Sequence, residues 1–515
     1  MGQNLSDHPL AIPDNRLQIL INQIKDYQIT HGSLIKLLPG VNNNEESPVQ
    51  SVPVGVAVFP TPWPRELFER ATEIQQAFNE LYIRISEDPK WLGDVLVDLR
   101  RSDSFTQKLW RIWEAVSEEQ KGEEGRTNLG IFRSDYMLHD RRGDGQELDI
   151  RQVEFNTFSV AGGTHGNIVG NMHRHLCRTG AFDAENTTAG KTNQCKLENL
   201  PINDTIKGIV AGLKAAHEAY GPARSSDVSA TAMLMVVQPH NINICDERPL
   251  EYALWDQSPS IPCYRVVFSD EVLERTSLTA DKLLLYHPPH TAQPVEISVV
   301  YFRAGYDMHE YTDAGIKARY LLDRSRAIIC PSILSHLATF KKVQQALCVP
   351  GAVERFLPDE KARLVRATFS AILPMDEESR LGQYARELTQ DSVRAIDYIL
   401  KPSLEGGGHN VYGIDIVPFL AKVHKRRWAQ YILMECIRPP KIDNILLTGR
   451  GVYQGPVVSE LGMFGTCLWM SDVGDGVEIL RNECAGWSFK TKAADVDEMS
   501  VVKGYGCFDC PYLTV

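Results

Sequence analysis

The residues best placed to do chemistry lie together between Lys401 and Gly413, in the run KPSLEGGGHNVYG. A lysine ends the apolar run Tyr398-Ile399-Leu400. Glu405 follows four residues later, then three consecutive glycines, then His409 and Asn410. Three glycines let backbone N–H groups approach an anion with no side chain in the way. A carboxylate beside them suits a hard cation such as magnesium. Lysine, carboxylate and backbone cradle together describe a triphosphate site. It is not the common phosphate loop, which needs G-x-x-x-x-G-K-[ST]. The single G-K-T, Gly190-Lys191-Thr192, has Glu185 where that pattern needs glycine, and its polar surroundings read as surface.

A second candidate is Val153-Glu154-Phe155-Asn156-Thr157. Strand alternation points Glu154 and Asn156 to one face, and a carboxylate beside an amide oxygen is a hard-oxygen pair suited to magnesium. A solvated strand edge is the competing reading of this segment alone. Further polar groups end apolar runs at Arg133-Ser134-Asp135-Tyr136, Arg303–Tyr306, Lys341–Gln345, Met434–Ile437, Ser459–Gly462 and Lys490-Thr491-Lys492.

The elements that position these groups are of mixed type. Leu17, Leu20, Ile21 and Ile24 recur at helix spacing behind Asp14 as N-cap, and Leu67, Ala71, Ile74, Phe78, Leu81 and Ile85 form a second stripe. A polar loop separates them around residues 42–46. Ile150–Phe155 reads as a strand. Ala232–Val237 and Ile297–Phe302 are continuous apolar runs of the buried parallel type, flanked by helical segments, so 228–338 reads as an inserted α/β domain. Short strands are expected at Tyr398–Leu400, Tyr431–Met434 and Val457–Val458.

With 515 residues the chain is long enough for more than one core. A net charge of −12 and the lack of basic runs argue against nucleic acid as a partner. No stretch approaches the roughly 20 apolar residues that span a bilayer, and no signal-peptide apolar core opens the chain. Eleven scattered cysteines fit a reducing compartment, hence a cytoplasmic protein. Cys507-x-x-Cys510 and the His173–Cys177 cluster lack the second ligand pair of a zinc site.

In this order the motifs resemble eukaryotic-type glutathione synthetase, whose pattern is RSDYM, E-x-N-T, YFR-x-GY, a KKVQQ segment, KP-x-x-EGGG-x-N-x-YG, YILME, SELG-x-FG and RTK. The resemblance runs from about Leu129 onward, roughly three quarters of the chain. It implies an α+β ATP-grasp fold with an inserted α/β substrate-binding domain: 1–227 as the N-terminal part of the ligase unit, 228–338 as the insert, 339–515 as the C-terminal part. It also implies a homodimer that phosphorylates the cysteine carboxylate of γ-glutamylcysteine with ATP and lets glycine attack the acyl phosphate.

Carried over by position, the resemblance makes Glu154, Asn156 and Glu405 the magnesium ligands. Lys341, Lys401 and Lys492 would bind the nucleotide, with Gly406, Gly407 and Gly408 closing over the triphosphate beside Asn410 and Tyr412. Met434, Glu435, Cys436 and Ile437 would hold adenine, Glu460 the ribose, and Glu498 belongs to the same nucleotide set. Arg133 is the catalytic residue, binding planar oxyanions through parallel hydrogen bonds. Phe158, Ser159, Val160 and Ala161, then Asn241, Ile242, Asn243 and Glu247, then Arg303, Ala304, Gly305 and Tyr306 would bind the dipeptide. Lys490, Val501 and Val502 would meet the acceptor.

The departures from the pattern gather at the acceptor end. Lys490 replaces an arginine and loses the bidentate fork. Met499–Gly504 replaces a lid of glycines and alanines with bulkier, stiffer residues. Glu247 stands for glutamine and Ala161 for serine. Three readings stay open: an ordinary glutathione synthetase with drift, a paralogue ligating another amine, or a nucleotide-binding relative without ligase activity. Retention of Glu154, Asn156 and Glu405 argues against the last.

Overall fold

The computed structural model describes residues 8, 12–38, 49–121, 125–143, 145, 147–183, 195–226, 228, 230–403, 409–471 and 476–515. The polar loop at 42–46, the Gly190-Lys191-Thr192 segment, Glu405 and Gly406–Gly408 lie outside the described residues.

A seven-stranded sheet is the frame of the molecule. Its order is Ile442–Thr448, Val56–Ala57, Gly506–Asp509, Val477–Ala493, Gly451–Ser471, Thr127–Asp140 and Leu148–Asn156. All pairs are antiparallel except Gly506–Asp509 with Val56–Ala57. Ile442–Thr448 also pairs with the start of the 21-residue strand Gly451–Ser471, so five strands complete a closed circuit of pairings. This strand and its 17-residue partner Val477–Ala493 far exceed the short strand expected at Val457–Val458. Two register shifts, at Phe464/Gly465 and Leu468/Trp469, break the alternation that would have announced them.

The second helical stripe forms the helix Arg65–Ser86, which lays its apolar face on this sheet. The Tyr82 and Phe155 rings stack at 4.0 Å and those of Phe78 and Phe155 at 5.5 Å. The first stripe forms Asp14–His31, but Asp14 is its first helical residue rather than its cap. Pro13 holds the cap position and supplies no side-chain acceptor.

A second sheet carries the two apolar runs. Cys263–Val267, Thr231–Val237, Val295–Phe302 and Ile328–Cys330 run parallel, with Leu284–Tyr286 and Thr276–Leu278 added antiparallel. Its side chains share cores with the seven-stranded sheet: Met233 and Val299 pack in one cluster with Leu129, Ile131 and Phe464. A third, antiparallel sheet of Ile372–Pro374, Tyr431–Glu435, Tyr398–Pro402 and Val411–Tyr412 stands apart. It has a core of its own around Leu400, Ile416, Trp428 and Leu433. Among the described residues no helix is long and apolar enough to cross a membrane.

Candidate active site

The cavity of interest lies between the third sheet and the edge of the seven-stranded one, and encloses about 650 Å³. Its floor comes from the paired strands Thr127–Asp140 and Leu148–Asn156, where Arg133 lies opposite Asn156 and Asp135 opposite Glu154. Glu154 and Asn156 do share a face, since Asn156 Nδ2 donates to Glu154 Oε1 at 3.2 Å. Lys341, at the start of the helix Lys341–Leu347, reaches the other carboxylate oxygen at 3.2 Å. Lys401 extends from the third sheet and donates to the Val153 carbonyl at 3.3 Å.

These charges reshape one another. Burial opposes the charge on Glu154, but Lys341, Lys401 and Arg133 outweigh it and hold the carboxyl well below its usual range. Lys401 is pushed down to about 8, mainly by burial, with Glu154 opposing the shift and Lys341 adding to it. Several cations thus converge on one carboxylate, leaving the pocket receptive to an anion. Burial also lowers Lys492, whose ammonium donates to the Val496 carbonyl.

The wall opposite is apolar. Ile399, Met434, Ile437, Met137, Val153 and Val458 line a slot suited to a flat heterocycle. Met434 is buried within the strand Tyr431–Glu435, Glu435 is exposed, and the Cys436 N–H donates to the Asp397 carbonyl at 2.8 Å. Asn410, Tyr412 and Glu498 stand at the rim. Tyr412 donates to the Asp497 carbonyl and Glu498 accepts from the Ser500 N–H. Arg438 and Lys441 also line this cavity. Their place directly after the Met434–Ile437 segment was the available signal for them.

Arg133 enters from the floor with much of its fork engaged. Nε and Nη2 donate to the two Asp135 oxygens at 2.6 and 2.7 Å, and Nη1 donates to the Ala161 carbonyl at 2.7 Å. Three of its five N–H groups are used and two remain. Lys490 and Glu460 face each other on neighbouring strands and form an ion pair at 2.5 Å. The residues expected to take an acceptor carboxylate and a ribose are therefore partnered with each other. Burial raises the Glu460 carboxyl and Lys490 opposes that rise. Val501 is buried and Val502 half-buried, both on the cavity wall.

Of the expected dipeptide residues, Ala161 and Asn243 line this cavity. Ser159 adopts φ +47°, a left-handed conformation unusual for serine, and its hydroxyl donates to the Arg303 carbonyl at 3.3 Å. Arg303 is buried between Glu247 (3.4 Å) and Asp246 (3.2 Å) and also donates to the Val160 carbonyl. Glu247 takes a second arginine, Arg265, at 2.7 Å and the Asn241 amide at 2.5 Å. Phe158 packs into the core against His336 and Tyr306, and Ala304 is fully buried. Gly305 turns at φ +84°, with its N–H and that of Tyr306 donating to Glu310. The Ile242 carbonyl accepts from the Lys36 N–H. Asn243 lines the cavity and meets His165 at 3.3 Å. Arg265 and His165 escaped the sequence reading, and Asp135 was named there without a role of its own. Only Asp135 left a trace, as an opposite charge two residues from Arg133 and so on its face of the strand.

Among the described residues no three His, Cys, Asp or Glu side chains converge on a metal position. The oxygens present nevertheless fit magnesium. Glu154 is an ionised hard donor, and Asn156 makes its two hydrogen bonds through Nδ2, so its Oδ1 accepts none among the described residues.

An apolar slot beside buried lysines, a hard-oxygen pair and an arginine with two N–H groups to spare is the equipment of an ATP-dependent ligase. The model of the eukaryotic glutathione synthase ATP-binding domain matches residues 14–513. The glutathione synthetase large chain of Schizosaccharomyces pombe is 32% identical, across 93% of this chain and 94% of its own. The glutathione synthetase of Dictyostelium discoideum is likewise 32% identical, across 97% and 100%. A glutathione synthetase-like effector from Globodera pallida, solved in its apo form, superposes with a TM-score of 0.69 at 21% identity, covering 98% of this chain and all of its own, which shows a common fold. The chain belongs to the eukaryotic glutathione synthase family.

Proposed function

We propose that this chain joins γ-glutamylcysteine to glycine through an acyl phosphate, converting ATP to ADP and phosphate. The observation that carries the reading is Glu154, held ionised among Lys341, Lys401 and Arg133 at the mouth of an apolar slot. We read the fold as an ATP-grasp, with the nucleotide between the third sheet and the seven-stranded sheet. Residues 1–227 and 339–515 form the ligase unit around 228–338, and the protein acts as a cytoplasmic homodimer.

The chemistry follows from charge. A carboxylate is a poor acyl donor, so its oxygen displaces ADP from the terminal phosphorus and gains a leaving group. Lys341 and Lys401 hold phosphate oxygens and lower the cost of that transfer by positioning and neutralisation. The two remaining N–H groups of Arg133 address the oxyanion. The amine then attacks the acyl carbon, phosphate departs, and the ammonium proton passes to solvent. Glu154, Asn156 and Glu405 would hold magnesium, which would supply Lewis-acid neutralisation of the phosphates.

One observation favours a second reading, in which another amine replaces glycine. Lys490 is engaged by Glu460, so an acceptor carboxylate competes with a resident carboxylate for a single point charge. Product mass and ADP release with γ-glutamylcysteine and each common amino acid decide between the two. Coupled tripeptide and ADP with glycine support the first reading. Product only with another amine supports the second. A thermal shift with ATP and no product from any amine would sink both.

A further inference from the structure

We propose that Asp135 is the positioning residue of this site, orienting Arg133 and Asn156 at the same time; the inference rests on the magnesium reading above. Asp135 is 1% exposed and accepts three hydrogen bonds. Arg133 Nε meets Oδ1 at 2.6 Å, while Oδ2 is shared by Arg133 Nη2 at 2.7 Å and Asn156 Nδ2 at 3.1 Å.

The shared oxygen has a chemical consequence. A carboxylate only accepts, so it compels Asn156 to turn its NH₂ inward. That NH₂ spans Asp135 and Glu154, and the amide oxygen is left facing away from both. Asp135, together with Glu154, therefore fixes that Asn156 presents an oxygen, and not two N–H donors, toward a cation. An amide at position 135 has one accepting oxygen for three donors, so at least one of the contacts to Arg133 and Asn156 is lost and the hold on the Asn156 amide weakens. The same carboxylate spends the inner edge of the Arg133 fork and aims the remaining N–H groups outward. Space for this arrangement comes from Gly462, which lies opposite Asp135 on the next strand. A Cβ at 462 would lie 2.7 Å from Asp135 Oδ1 and 3.0 Å from Arg133 Cδ.

A buried counter-ion for Arg133 alone would leave metal binding untouched, which separates the two roles. The test is Mn²⁺ binding, followed by electron paramagnetic resonance, to protein saturated with the β,γ-imido analogue of ATP. Asp135→Asn is expected to weaken Mn²⁺ binding on the order of tenfold or more, the usual scale for the partner that orients a ligand. In turnover it lowers kcat more than it changes the KM for ATP. The exchange Asp135→Asn with Asn156→Asp restores a donor facing an acceptor between 135 and 156 and an oxygen facing the cation, while the lost N–H contact to Glu154 leaves two carboxylates whose charge the bound cation offsets. It should recover Mn²⁺ binding to within about threefold of the parent while kcat stays low, because Arg133 has still lost its bidentate partner. Should Asp135→Asn fail to fold, Gly462→Ala presses on the same carboxylate without removing its charge and should weaken Mn²⁺ binding several-fold. A parent that binds Mn²⁺ with an Asp135→Asn (or Gly462→Ala) protein that binds it equally well overturns the inference alone. A parent that binds no Mn²⁺ overturns the magnesium reading and the inference with it.

Discussion

The two ends of the cavity handle charge in opposite ways. At the nucleotide end, Lys341, Lys401 and Arg133 all act on one carboxylate, Glu154, and Lys401 is depressed to about 8. At the acceptor end, Lys490 and Glu460 are matched one to one across adjacent strands. The first arrangement is incomplete until an anion arrives. The second is complete by itself, and a ligand must displace part of it. On the proposed function, affinity for phosphate is built into the resting protein, whereas recognition of the acceptor depends on an exchange of partners.

The largest effect should come from removing the hub of the nucleotide end. Glu154→Gln leaves Lys341 and Lys401 facing each other without their shared carboxylate. We expect kcat to fall by on the order of 10²–10³-fold or more, with the folded protein retained in circular dichroism. Glu405→Ala is expected to abolish ATP turnover as well. Near-parental turnover in either variant would break the contrast between the two ends.

Next comes a pH effect specific to the nucleotide end. In the free protein Lys401 is charged below its pKa of about 8 and neutral above it. Phosphate favours the charged form, so ATP binding takes up a proton once the pH exceeds that value. ATP affinity should hold steady from pH 6.5 to 7.5 and then weaken, by at most about tenfold per pH unit for a single proton. Lys401→Arg, charged throughout, should flatten the profile. Calorimetry in buffers of different ionisation enthalpy measures the proton directly, and its absence at pH 9 would remove Lys401 from the phosphate contacts.

A smaller effect tests the acceptor end. We expect a high KM for glycine, lowered by the double change Lys490→Arg with Val502→Ala by the equivalent of about 1–3 kcal/mol. A parent that saturates at low glycine, and does not improve, would show that the Lys490–Glu460 pair yields readily and that the two ends differ less than their charges suggest. The smallest expected change lies behind that pair. Thr491 donates to Asp509 at 2.7 Å and shares a hydrogen bond with Ser459 at 2.8 Å. Thr491→Val should cost about 1–2 kcal/mol of stability, a fall in Tm of a few degrees, with glycine KM hardly moved.

How legible each end was follows from the same physics. Lys401, Glu154 and Asn156 could be found because their chemistry is local: alternation on one strand, or a charge ending an apolar run. Family resemblance brought in Lys341 and Arg133. Asp135 stood inside a quoted motif, but its bond to Asn156 exists only through pairing of two strands with a bulge between Asp135 and Tyr136. The Lys490–Glu460 pair likewise needs the register of two strands whose length was not evident. Glycines at 451, 455, 462 and 465 and two register shifts hide a 21-residue strand from any count of alternating residues. Glu247 was visible as a departure; that Arg265, from a separate parallel strand, balances it was not.

The closed circuit of strands bears on how the protein comes to exist. Gly506–Asp509 is wedged between Val56–Ala57 and Val477–Ala493, and Pro511–Thr514 runs beside Thr61–Pro64. Segments some 450 positions apart in the chain are therefore adjacent strands, and the strand that carries Lys490 and Lys492 finds its second neighbour only in the later one. On the ribosome, the helix Arg65–Ser86 and the strands bearing Arg133 and Glu154 emerge long before their last partner does. The ligase site cannot mature piecemeal during synthesis. Until residues 506–514 join it the sheet keeps an open edge, the kind of edge that offers unpaired backbone groups to other strands.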